Sequence, residues 1–127
     1  MSDLHGTIFW TELATHDVMA AKACYAALFG WTYDATPMPD GGTYYTAMKN
    51  GNMVCGLFDM GTDPDMADMP SHWETYVAVD DVDATLVEAA KQGAKILRPA
   101  MDIPHVGRIA FIADPSGAML GLMTPAG

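Results

Sequence analysis

Hydrophobic and polar positions along this 127-residue chain fall into one cycle that occurs twice. The stretch from Phe9 to Val18 alternates as a strand does, and it aligns with Trp73 to Val82 at an offset of 64 residues (73 − 9). A helical period follows each. In the first, Val18, Ala21, Tyr25, Leu28 and Phe29 form a stripe behind Asp17 as N-cap, and Gly30 stops the helix. In the second, Asp80 or Asp81 caps, Val82, Leu86, Ala89 and Ala90 form the stripe, and Gly93 ends it. Three short strands then complete each copy. They are Thr32–Ala35, Thr43–Lys49 and Asn52–Asp59 in the first, and Lys95–Met101, Arg108–Ala113 and Ala118–Thr124 in the second. Asn50-Gly51 and Asp114-Pro115-Ser116-Gly117 supply the turn chemistry of the two closing hairpins.

The pattern predicts an α+β fold over residues 1–127 as a single domain. Two β-α-β-β-β modules, about 5–60 and 72–125, are joined by a linker at 61–71 rich in Asp, Pro and Met. Their open sheets should pair into a curved eight-stranded mixed sheet around a cavity, with the helices outside. Alternation puts Ile8, Trp10, Glu12, Val54, Gly56 and Phe58 on one parity, and with them Glu74, Tyr76, Ala78, Met119, Gly121 and Met123. Leu13, Val77 and Val79 belong to the opposite parity.

Composition narrows the picture. Half the residues are hydrophobic, so the chain can bury a core, yet no apolar run approaches the roughly 20 residues that span a bilayer. Sixteen acidic residues against six basic ones give a net charge of −10 without any basic cluster, which excludes a nucleic-acid partner. The N-terminal residues lack the basic and apolar regions of a signal peptide, and Cys24 and Cys55 read as reduced thiols. Both point to the cytoplasm. Eleven methionines suit irregular core gaps and adaptable apolar pockets.

Several of these segments resemble the vicinal oxygen chelate superfamily, which includes glyoxalase I, extradiol dioxygenases and bleomycin-resistance proteins. The carriers are the first strand ending at Asp17, the stretch from Cys24 to Trp31, Val79-Asp80-Asp81-Val82, and the Asp114–Gly117 turn before the last strand. Trp10 to Leu13 and Ile103 to Arg108 are most similar to a glyoxalase-like subgroup of unassigned reaction. The resemblance implies a homodimer. It also implies one divalent ion held by His and Glu side chains from the first and last strand of each module, at positions that here read Trp10, Gly56, Glu74 and Gly121, which puts their parity on the cavity face and the opposite parity under the helices. One carboxylate among four positions does not make a metal site, so no cofactor is expected. His72 and Glu74, which share strand parity, are the residual candidates for a rebuilt metal site.

The expected ligand-binding set is Trp10, Glu12, Phe58, Glu74, Tyr76, Met119 and Arg108. Trp10 and Tyr76 offer aromatic faces, Glu12 and Glu74 carboxylates, and Arg108 an anchor for an anionic group at the pocket mouth. His105 lies in the same loop, whereas His5 on a flexible end and His16 at the helix entry receive no role. Three functions are open. The first is a metal-free small-molecule-binding protein. The second is a glyoxalase-like lyase, isomerase or dioxygenase-type enzyme with a rebuilt metal site or acid–base chemistry at Glu12 and Glu74. The third is an interaction protein with a vestigial pocket.

Overall fold

In the computed structural model, residues 3–38, 42–61, 67–103 and 106–126 are described. Each half runs strand, helix, three strands. The first has β1 (Ile8–Thr15), α1 (Val18–Phe29), β2 (Thr32–Pro37), β3 (Thr43–Lys49) and β4 (Asn52–Asp59). The second has β5 (His72–Ala78), α2 (Val82–Lys91), β6 (Lys95–Ile103), β7 (Gly107–Ala113) and β8 (Met119–Pro125). The strands make one eight-stranded mixed sheet in the order β2-β3-β4-β1-β5-β8-β7-β6. The doubled α+β architecture expected from the periodicity is therefore present.

Local chemistry explains the boundaries. The Asp17 carboxylate accepts from the Ala20 amide at 3.0 Å, and Gly30 ends α1 at φ 73° with its N–H donating to the Ala26 carbonyl. Of the two candidate caps for α2, Asp81 takes the role and accepts from Ala84 at 3.1 Å. Asn50 and Gly51 both adopt positive φ, as a two-residue hairpin turn requires. The Asp114 carboxylate accepts from the amides of Ser116 and Ala118 and from the Ser116 hydroxyl, which fixes the β7–β8 turn.

The chain separates into two compact units, one of Thr11–Trp73 and one of Met1–Trp10 with Glu74–Gly127. Their boundary falls inside β1 and β5 rather than in the 61–71 segment, part of which lies outside the described residues. The Gly6 amide donates to the Ala78 carbonyl at 2.7 Å and the Ala78 amide to the Thr7 carbonyl at 2.9 Å, so the N-terminal segment belongs with the second half. His5 is held there too, its Nδ1 accepting from the Asp80 amide at 2.9 Å, which corrects the expectation of a flexible end.

In the unit Thr11–Trp73, Leu13, Val18, Ala47, Cys55 and Leu57 form the core beneath α1, with Tyr25, Trp31, Tyr33 and Tyr45 packed around it. β1 pairs with β4 in parallel, Glu12 opposite Gly56 and Ala14 opposite Phe58. A register shift near Met48 interrupts β4, so strict alternation does not extend to Val54. The helix itself departs from its expected stripe. Val18 is its one buried residue, whereas Leu28 is 64% and Phe29 49% exposed.

The other unit has two cores. Val79, Val82, Leu86, Ala110, Ile112 and Leu122 pack under α2, while Tyr76, Ile109, Phe111 and Met123 pack on the opposite face with Trp10 and Ile103. Successive residues of β7 and β8 thus serve opposite faces, as the pleat dictates.

Candidate functional site

On the helix-free face of each unit a carboxylate meets a tyrosine hydroxyl. In the unit Thr11–Trp73, Glu12 on β1 is 8% exposed and its Oε2 accepts from the Tyr44 hydroxyl at 2.8 Å. Pairing across the strands explains the approach. Glu12 stands opposite Gly56, and Gly56 opposite Thr46, while the next row on that face holds Ala14, Phe58 and Tyr44. Gly56 contributes no side chain between them, and the phenol reaches diagonally from its own row. Phe58 itself is half-buried. Tyr44 was missed in the sequence; its hydroxyl becomes a partner only once the β3–β4 register is known.

In the other unit the pair is Glu74 and Tyr76, two residues apart on one face of β5, with the Tyr76 hydroxyl donating to Glu74 Oε2 at 3.2 Å. Tyr76 is opposite Gly121, and Gly121 is opposite Phe111. The tyrosine ring leans across the glycine toward Phe111, with ring centroids 5.4 Å apart. A Cβ at Gly121 would lie 2.6 Å from Tyr76 Cδ1, so the ring fills the space that a side chain there would need. Trp10 packs on the same cluster, and Met119 shares its face through Gly121 and Met123.

Arg108 does not join these residues. Alternation along β7 puts it with Ala110 and Ile112 on the α2 face, where its guanidinium donates to both oxygens of Asp83 at 2.9 and 3.1 Å and to Asp102 at 3.0 Å. These bonds hold the Asp83 carboxyl below its ordinary range and push the guanidinium higher still. The expected anion anchor is thereby corrected to a surface ion-pair network between α2 and β6. His105 lies outside the described residues. His16 links the end of β1 to the segment before β5, its Nε2 2.6 Å from the Met69 carbonyl.

The residues present do not fit a divalent ion at the positions the superfamily resemblance selects. Trp10 has no metal donor, Gly56 and Gly121 have no side chain, and the Tyr76 ring blocks position 121. Nδ1 of His72 donates to the Pro70 carbonyl at 2.7 Å, which removes that nitrogen from ligation. Among the described residues no group of three or more His, Cys, Asp or Glu is placed to hold a metal. Nearby titration behaviour follows burial. Cys55, beneath α1, has its thiol pKa pushed up to about 11 by desolvation first and by the Glu12 carboxylate second.

Residues 7–122 match the Glyoxalase/Bleomycin resistance protein/Dioxygenase superfamily. The chain belongs to this superfamily. A Mycobacterium bovis protein named "Putative glyoxylase CFP32" is 45% identical over 118 residues, covering 92% of this chain and 45% of that protein. The anthracycline biosynthesis protein DnrV of Streptomyces peucetius is 32% identical over 123 residues, covering 89% of this chain and 45% of its own. This chain therefore spans about half the length of these curated relatives. Among solved structures, methylmalonyl-CoA epimerase from Mycobacterium tuberculosis superposes with a TM-score of 0.68 at 18% identity, covering 100% of this chain and 93% of the epimerase. That likeness is one of fold alone. Among the described residues no helix is long and apolar enough to cross a membrane.

Proposed function

We propose that this superfamily member binds a small, largely apolar or aromatic molecule without a divalent metal centre. The observation that carries this reading is the face around Tyr76, where aromatic rings, methionines and the Glu74 carboxylate come together away from α2. An apolar surface with a few placed polar groups suits such a ligand. On this reading Trp10, Glu74, Tyr76 and Met119 contact it in one unit, and Glu12 and Phe58 present the corresponding surface in the other. The protein works in the cytoplasm, as a dimer of identical chains.

A second reading has one observation in its favour. Glu12 is a buried carboxylate tied to a phenol, and such a pair can accept and return a proton. Glu12 is then the base and Tyr44 the group that orients it, in an enzyme that needs no metal.

The deciding experiment combines metal analysis with a screen of aromatic compounds by thermal shift and methyl NMR. Ligands should raise the melting temperature, perturb the Met119 and Met123 methyls, and bind at least ten-fold more weakly to Trp10→Ala. Tight stoichiometric metal that disappears in Glu74→Ala would overturn the metal-free reading. Turnover abolished by Glu12→Gln in the metal-free protein would establish the second.

A further inference from the structure

Arg98 is the half-buried arginine of β6, and two irregularities in that strand decide which way it faces. Ile96 pairs with Ile112, a residue of the core beneath α2. In a regular strand Arg98 would share that face. The register shifts between Ile96 and Arg98, so Arg98 pairs with Phe111, on the face of Tyr76. It shifts again before Met101, which pairs with Ile109 on that same face. Bulges of this kind re-aim a side chain, and they are over-represented beside binding and catalytic sites.

The row across the strands therefore reads Tyr76, Gly121, Phe111, Arg98. In a chain with sixteen carboxylates and six basic side chains, an arginine ordinarily finds an acid, as Arg108 finds two. No hydrogen bond or ion pair engages the Arg98 guanidinium among the described residues.

We propose that Arg98 is the anion anchor of this face, holding the carboxylate of a small aromatic acid whose ring lies over this row, against the partly exposed Met101 and Met119 beside the buried Phe111 and Tyr76. The guanidinium presents a planar fork that matches a carboxylate bidentately. Directly paired residues have Cβ atoms about 4.5–5.5 Å apart, so a ring lying over this row brings an attached carboxylate within the arginine's reach. The overall charge of −10 repels anions from the surface at large, which makes this local cation the selective element. The inference rests on the reading of the Tyr76 face as a ligand site, and it adds the class of ligand.

Two probes with one ring system test it: 1-naphthoate, charged, and 1-naphthamide, neutral, each titrated by NMR into the full chain. The wild type should bind the acid at least ten-fold more tightly than the amide, with shifts at the Met119 and Met123 methyls. Arg98→Met should abolish that preference and leave amide affinity within two-fold, which also shows that the variant folds; Arg98→Lys should keep part of it. Equal affinity for the two probes in the wild type, or naphthoate binding unchanged in Arg98→Met, overturns the anchor while the ligand face stands. Shifts confined to other methyls, such as Met19 on α1, or none with either probe, overturn the ligand face and the anchor with it.

Discussion

A Cβ at position 121 meets Tyr76 at 2.6 Å, so Gly121 and the tyrosine ring specify one another. Gly121→Ala is expected to cost about 1–3 kcal/mol, the usual range for overpacking. Most of that cost should vanish in a Tyr76→Ala background, and a double-mutant cycle followed by urea unfolding measures the coupling. Asp114 makes a different kind of local claim. Hydrogen bonds, first from the Ser116 hydroxyl and then from the Ala118 and Ser116 amides, hold its carboxyl below the ordinary carboxylate range. A depressed folded value means the stabilisation is complete above about pH 4 and fades as pH falls through it. Asp114→Ala should melt lower at pH 7 and show a smaller drop on acidification to pH 3. The two thiols should also separate. Cys24 is exposed and Cys55 buried, so Ellman's reagent should titrate one thiol rapidly in the native protein and two in denaturant.

The two helices occupy equivalent places and solve their surfaces differently. α2 keeps Val82 and Leu86 inside and carries Asp83, Glu88 and Lys91 among its polar residues, whereas α1 has Lys22 as its one charge. Lys22 covers Tyr45, its Nζ 4.0 Å from the ring centroid. Leu28 was read as part of the α1 stripe, and its exposure predicts that Leu28→Gln changes stability by no more than about 0.5 kcal/mol. Leu57→Ala, at a fully buried site below the same helix, should cost about 2–5 kcal/mol in the same assay. Element order, both helix stops and both hairpin turns were legible because period, capping and turn chemistry are local. The facing of Arg98 and Arg108 was not. One depends on a bulge that no alternation rule reveals, and the other on carboxylates 25 and 6 residues away that only the folded strands bring near. Glu12, Glu74 and Tyr76 could be nominated by parity, yet their hydroxyl–carboxylate pairing awaited the register.

At the scale of the molecule, one compact unit is continuous and the other is assembled from both ends of the chain. The repeat in the sequence suggested two modules divided at a linker, since periodicity reports which elements recur and is blind to which partners they choose. A fragment of residues 72–127 holds a complete second β-α-β-β-β set, but it lacks Trp10 and the backbone partners of Ala78. It should remain unfolded by circular dichroism, whereas the full chain shows a cooperative transition.

That division also bears on how the protein is made. Thr7 leaves the ribosome 71 residues ahead of its partner Ala78 (78 − 7). At synthesis rates of about 5–20 residues per second the delay is roughly 4–14 seconds. During it the unit Thr11–Trp73 can close, while Ile8 and Phe9, still 67% and 38% exposed in the finished fold, trail without their strand partner. For that interval the Thr7 carbonyl lacks the amide it later accepts from, and the synthesis of β5 ends the wait.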